Sequence, residues 1–218
     1  MVVTRRKLDS TVFGNEAINH LVDKYEFESV LDIGCGEGLH SDYFMEVGKK
    51  VTALDYGESV YFKKNKKKIT PIIADFNQHN FDEQYDCVWC CHVLEHQLNV
   101  NIFLKKINSV LKEGGIVAIT VPPLKHDIVG GHVTLWNAGL LLYNLILAGF
   151  DCRHASIKQY GYNISVILKK RTIDVSSVLS YDCGDIQAIT PYLPEKLEWK
   201  PNTRDTPFNG QIYELNWN

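Results

Sequence analysis

Apolar positions along the chain alternate between helical and strand-like spacing, and the changes mark out the elements. Val12, Ile18, Leu21, Val22 and Tyr25 predict an amphipathic helix over Thr11 to Phe27. Ser29 to Ile33 is a short apolar run ending in a glycine cluster, which predicts a strand and a tight turn. Helical spacing resumes from Leu39 to Val47, and Lys50 to Leu54 forms the next strand, ending at Asp55. A helix is expected over Glu58 to Lys67 and a strand over Ile69 to Ala74, ending at Asp75. Tyr85 to Cys91 is a further apolar strand, and Asn99 to Leu111 a helix stopped by Gly114 and Gly115. Ile116 to Val121 is a strand broken by Pro122 and Pro123, and Leu135 to Leu147 a helix stopped by Gly149. Cys152 to Ile157 and Tyr162 to Leu168 close the pattern as two strands with no helix between them.

Short strands alternating with helices predict an α/β fold, with a mostly parallel sheet covered on both faces. The last two strands, lacking a crossover helix, predict an antiparallel hairpin at one edge. Beyond Arg171 the pattern weakens, and that tail holds four of the seven prolines and two of the four tryptophans. We therefore expect one domain over residues 1–170 and an extension, 171–218, packing on it. Lys63, Lys64, Lys66, Lys67 and Lys68 read as a solvated helix end.

Composition narrows the function classes. A net charge of −3 gives no electrostatic reason for a nucleic-acid partner or an anionic membrane. Residues 1–7 are basic but have no apolar run behind them, so no signal peptide is expected. The segment Leu135 to Phe150 is interrupted by Asn137, Gly139, Asn144 and Gly149 and falls short of the ~20 residues that span a bilayer. Of the cysteines at 35, 87, 90, 91, 152 and 183, three share one strand, a poor disulfide arrangement. Cys87 and Cys90 have zinc-site spacing but no second pair. The expectation is a soluble, reduced, cytoplasmic protein, monomeric or homodimeric, without membrane insertion.

The strongest chemical signal is the run Asp32, Ile33, Gly34, Cys35, Gly36, Glu37, Gly38 between a strand and a helix. Glycines there let the backbone turn sharply and approach a bound adenosyl ligand closely. Asp55, at the end of the next strand, is placed to accept hydrogen bonds from ribose hydroxyls. A bare strand-to-helix turn would also want glycines. A nicotinamide dinucleotide site fits less well, because the glycines are spaced Gly-x-Gly-x-Gly and Asp32 precedes the first.

Asp32 through Gly38, Asp55, Asp75, the strand Tyr85 to Cys91, and Leu111 to Gly115 resemble the successive motifs of class I, Rossmann-like methyltransferases over residues 29 to 170. That resemblance implies a doubly wound, seven-stranded sheet with an antiparallel last strand and S-adenosylmethionine as cofactor, leaving S-adenosylhomocysteine as product. It places Asp32, Gly34, Cys35, Gly36 and Gly38 around the amino-acid part of the cofactor, with Asp55 on the ribose. It puts Asp75 at the adenine amino group, Tyr56 or Phe76 against the ring, and Cys90 beside the methionine moiety through its backbone.

His92, Val93, Leu94, Glu95 and His96 follow the fourth strand, where such enzymes place substrate-facing groups. His92 is a candidate general base for a hydroxyl acceptor, and His132, in a glycine-rich loop, a second catalytic candidate. A solvent-facing or capping histidine is the plain alternative at His92. The run also matches an inverted zinc-protease motif, which requires its own scaffold. His92, Glu95, His96 and His132 offer nitrogen and oxygen ligands to a divalent metal. Small-RNA 2′-O-methyltransferases carry a related metal-binding Glu-x-x-Glu-His, but here His92 stands in for the first acid.

For the acceptor, the stretch from Gly130 to Asn137 and the tail from Ile212 to Trp217 resemble small methyltransferases of bacterial surface-polysaccharide synthesis. The expected acceptor is then a sugar or glycan hydroxyl, with Trp136, Trp199 or Trp217 as stacking surfaces or, more simply, as packing residues. The alternatives are another small metabolite, such as a quinone precursor or a phosphorus-containing compound, and a cofactor-binding protein without catalysis.

Overall fold

The structure is a computed structural model describing residues 7–64, 69–198 and 207–217. Strands β1 (Ser29–Ile33), β2 (Lys50–Asp55), β3 (Ile72–Ile73), β4 (Tyr85–Cys91), β5 (Leu111–Val121), β6 (Ser156–Tyr160), β7 (Asn163–Lys169) and β8 (Glu214–Leu215) form one sheet. Their order is β3-β2-β1-β4-β5-β7-β6-β8. The first five run parallel, whereas β7, β6 and β8 are paired antiparallel. Helices α1 (Asn15–Lys24), α2 (Leu39–Glu46), α3 (Val100–Val110), α4 (Ala138–Leu147) and α5 (Asp185–Ile189) complete the regular structure. The strand order reverses between β1 and β4, and in open α/β sheets ligands bind outside the carboxyl ends of strands at such a point.

The alternation of β4 splits the core into two layers. Val88 and Cys90 join Leu31, Ile33, Leu104, Ile107, Leu141 and Leu145 on the α3–α4 face. Cys87, Trp89 and Cys91 join Ile18, Leu21, Val30 and Phe44 on the α1–α2 face. Trp89 and Phe103 are fully buried, each contributing about 1.5–3 kcal/mol by area. Ile189, Leu193, Leu197 and Ile212 of the tail lie in the first layer and Trp217 in the second, so the described tail shares the domain's core.

Several elements differ from the sequence expectation. The sheet has eight strands, not seven, because Ile157 and Lys158 of β6 pair with Leu215 and Glu214. The helix expected over Glu58 to Lys67 is only a 3-10 turn, Phe62–Lys64, with Lys66, Lys67 and Lys68 outside the described residues. Val60 and Tyr61 are exposed, so no apolar face drives a longer helix. The third strand shrinks to Ile72–Ile73, following Pro71, which has no N–H for a ladder. Gly114 and Gly115 do not stop α3. The helix ends at Val110, the glycines lie inside β5, and a Cβ on Gly115 would sit 2.9 Å from the Asp86 and Lys112 carbonyls. Strand β6 starts later than expected, at Ser156, and α4 starts at Ala138 because the Asn137 side chain accepts from Leu140 N.

Lys170 ends α3. Its buried ammonium donates to Asn108 O (2.7 Å) and Leu111 O (2.8 Å), carbonyls that the helix leaves unpaired. Lys170→Met keeps the apolar stem and removes the donors. It is expected to lower the unfolding free energy by about 1–3 kcal/mol, read as a reduced urea midpoint at unchanged slope. An unchanged midpoint would show that these carbonyls find other partners.

Candidate active site

The turn between β1 and α2 has three glycines in the left-handed region: Gly34 (φ 71°), Gly36 (φ 50°) and Gly38 (φ 82°). Any other residue would be strained in this run. A Cβ on Gly34 would also lie 2.3 Å from Val93 Cγ2, so the loop following β4 presses directly on the turn. Gly34 N and Cys35 N both donate to Leu54 O, and the Asp55 carboxylate accepts from Gly36 N (2.9 Å) and Gly57 N (2.8 Å). One donor reaches each Asp55 oxygen, which leaves lone pairs for a diol beside the turn.

Tyr56 is 69% exposed beside Asp55, whereas Phe76 is buried against Phe81 and Phe103. Of the two aromatic candidates for an adenine contact, only Tyr56 is open to a ligand. The Asp75 carboxylate receives Asn77 N (2.9 Å) and Gln78 Nε2 (3.1 Å) in a local turn. Cys35 and Cys90 are buried, and burial pushes both thiols up, so neither is a nucleophile. Cys90 pairs with Ile33 on one side and Ile119 on the other, which leaves its backbone at the switch point.

At the end of β4, His92 takes a left-handed backbone (φ 55°), a conformation costing on the order of 1–3 kcal/mol. Its Nε2 lies 3.0 Å from Asn163 Oδ1. That amide is oriented unambiguously, because Oδ1 accepts from Gly14 N (3.1 Å) and Nδ2 donates to Tyr160 O (3.2 Å). His92 Nε2 is therefore a proton donor, and Nδ1 is left facing Glu95 Oε1 at 3.3 Å. His92 Nε2 is thus committed to Asn163, and His92 does not line the cavity beside His132.

Glu95 is fully buried, and neither carboxylate oxygen accepts a hydrogen bond from a described residue. Its backbone carbonyl receives Val133 N (2.9 Å) and Thr134 N (3.3 Å), which docks the glycine-rich loop and brings His132 beside His96, ring centres 5.0 Å apart. Glu95, His96 and His132 each place a ligand atom within 4.8 Å of the others, among the described residues. His92 stands outside this trio, so three of the four expected ligands converge.

A cavity of about 190 Å³ opens next to His132, walled by Pro122, Ile128, Val133, Leu135 and Tyr162, with Lys125 Nζ 4.1 Å from the Tyr162 ring centre. A larger cleft, about 830 Å³, lies at the opposite end of the sheet, where no candidate residue sits. The smaller one is lined by the candidate residue His132. Trp136 and Trp217 are buried, the latter stacked on His20 at 4.2 Å, and Trp199 lies outside the described residues. Trp136 and Trp217 are thus packing residues rather than stacking platforms.

The sequence gives no sign of Asn163, Gly14 and Phe13 as site residues, the last with its ring tilted against His92 at 4.7 Å between centres. They come from the turn before α1 and from β7, and no spacing within the His92 segment signals them.

A family model described as a methyltransferase domain matches residues 31–119. The ubiquinone biosynthesis O-methyltransferase of Rickettsia prowazekii is 31% identical over 121 residues, 47% of this chain and 48% of the relative. The chain thus spans about half the length of the curated relatives it matches. A S-adenosylmethionine-dependent methyltransferase from Archaeoglobus fulgidus aligns with a TM-score of 0.59 at 18% identity, covering 71% of this chain and 93% of that one. The Burkholderia thailandensis 1,6-didemethyltoxoflavin-N1-methyltransferase, solved with its substrate and S-adenosylhomocysteine, aligns at 0.55 and 19% identity over 71% of this chain and 76% of its own. The fold is that of Rossmann-like methyltransferases.

Asp32 supplies a test of the glycine turn. It is 1% exposed and accepts from Ser41 Oγ at 2.5 Å. Burial pushes its carboxyl up to about 7, against the opposing pull of the Ser41 hydrogen bond. The folded state then holds a proton that the unfolded chain releases near 3.8, so this group's stability contribution is full at low pH and lost as pH rises towards 7. Relative to Asp32→Asn, the wild type is expected to lose stability in urea melts between about pH 4 and 7. A pH-independent difference would contradict the assignment.

Proposed function

We propose that the protein is an S-adenosylmethionine-dependent methyltransferase that transfers the methyl group to a hydroxyl of a small acceptor. The observation carrying this reading is the left-handed glycine turn laid against Asp55 at the switch point. The matched methyltransferase-domain model and the shared fold support it. When bound, S-adenosylmethionine supplies an activated methyl on a sulfonium.

The chain's own work is binding, alignment and proton removal. Gly34 to Gly38 admit the cofactor's amino-acid end without side-chain interference, Asp55 takes the ribose diol, and Tyr56 covers the adenine. Asp75 stands next to that position, and the backbone at Cys90 flanks the methionine moiety. Holding acceptor, methyl and sulfur in line supplies most of the acceleration. Proton removal falls to the imidazole–carboxylate cluster, with His132 beside the cavity as the group in reach.

The sequence alone leads to the expectation of a sugar or glycan hydroxyl as acceptor. The cavity's mostly apolar and aromatic walls, with Lys125, Asp127 and His132 among its few polar groups, instead favour a flat, weakly polar hydroxyl compound, the quinone-precursor alternative. The Rickettsia relative, a ubiquinone biosynthesis O-methyltransferase, supports the same choice.

Purified protein with methyl-labelled cofactor, offered catechols, phenols and nucleotide-linked sugars, is expected to methylate a phenolic hydroxyl. His132→Ala should lower turnover about 10²–10⁴-fold with S-adenosylhomocysteine affinity retained. Transfer to sugars alone would overturn the acceptor assignment, and undiminished turnover in His132→Ala would remove that residue's role.

A further inference from the structure

The cavity beside His132 carries on its wall a positive charge that methyl transfer itself does not use. Lys125 lines it, with Nζ 4.1 Å from the centre of the Tyr162 ring. That cation–π contact fixes the direction of the ammonium but gives its N–H groups no oxygen to donate to. Among the described residues Lys125 makes no ion pair.

Both partners of that contact stand on fixed backbone. Pro123 bridges to the buried Trp136, and Leu124 N donates to Trp136 O at 2.7 Å, so Lys125 directly follows an anchored pair. Tyr162 is the second residue of a two-residue loop between β6 and β7, closed by the pairing of Tyr160 with Asn163. A loop of that length is a tight hairpin turn. Asp127, the one acid on the lining, is exposed, and no described residue fixes its carboxylate.

We infer that Lys125 binds a carboxylate on the acceptor, which is a single-ring hydroxyarene acid held with its hydroxyl towards His132. This assignment deepens the hydroxyl-transfer reading above, on which it rests, by adding one charge to the flat acceptor. At about 190 Å³ the cavity falls below the ~300–1,000 Å³ of drug-sized ligand pockets, which suits one ring. Lys125 is the one lysine or arginine on its lining, so a monoanion matches it. A phosphate, with close to two negative charges, would be left partly uncompensated and would meet Asp127 as well. The apolar side chains of Ile128, Val133 and Leu135 keep water from part of the cavity, which strengthens a single charge pair relative to open surface. An amine in place of the carboxylate would meet the like charge of Lys125.

The test is calorimetric titration of the full chain, saturated with S-adenosylhomocysteine, with protocatechuate, a catechol carboxylate, and with its neutral carboxamide. Turnover of both compounds with methyl-labelled cofactor is measured in parallel. The wild type is expected to bind the carboxylate at least about tenfold more tightly, an excess that shrinks with added salt. Lys125→Met should remove the excess and leave affinity for the carboxamide unchanged, and Lys125→Arg should keep it. In turnover, Lys125→Met should raise KM for protocatechuate about tenfold with kcat held, the signature of lost uniform binding. Equal affinity for the two compounds in the wild type, an excess that survives Lys125→Met, binding of neither compound, or loss of carboxamide affinity in Lys125→Met would each overturn the inference. S-adenosylhomocysteine binding that persists alongside such a failure would leave the methyltransferase reading intact. Carboxylate binding that depends on Lys125 but yields no methylated product would keep the anion site and overturn the hydroxyl-transfer reading on which its use rests.

Discussion

The carboxyl end of β2 holds the site together. Leu54 O accepts from Gly34 N and Cys35 N, and the Asp55 carboxylate accepts from Gly36 N and Gly57 N, so one strand end satisfies four donors of two loops. Three residues with positive φ make that arrangement possible, and glycine alone tolerates such a run without strain. Every later feature takes its position from this turn. The α2 helix starts at Gly38, Ser41 on its first turn meets Asp32, and Val93 fills the space that a side chain on Gly34 would need.

A second constraint lies in β4. Its two faces feed both core layers, and it ends at His92, where a left-handed backbone turns the chain across the top of the sheet. The energy spent there is offset by His92 N donating to Thr120 O and by the contacts from Asn163 and Phe13. The result is a rigid strand end carrying imidazoles and a buried carboxylate, set between the glycine turn and a cavity with apolar walls. Positioning of this kind is the principal demand of in-line transfer.

The parts that could be read from the linear chain are those governed by local rules. The strand, glycine turn and helix around Asp32 to Gly38 follow from backbone sterics, and the β6–β7 hairpin from the absence of a crossover helix. The parts that could not be read depend on distant partners. Strand β8 is two residues long and exists only through its pairing with β6. The fixed proton on His92 comes from Asn163, 71 positions away, and that of His96 from Gly131, 35 positions away. Phe76 has the composition of a ring-stacking residue, and only tertiary packing against Phe81 and Phe103 takes it into the core. Gly114 and Gly115 look like a helix stop, yet the close approach of the Asp86 carbonyl explains Gly115 better.

The central claim is that the turn and Asp55 form the pocket of an adenosyl cofactor. Equilibrium binding of S-adenosylhomocysteine to the folded wild type and to Asp55→Ala tests it most directly. The account predicts one molecule bound per chain and affinity at least about tenfold weaker in Asp55→Ala, from the loss of charge-assisted hydrogen bonds to the ribose. Folded wild-type protein that binds no S-adenosylhomocysteine, or binding that Asp55→Ala leaves unchanged, would contradict it.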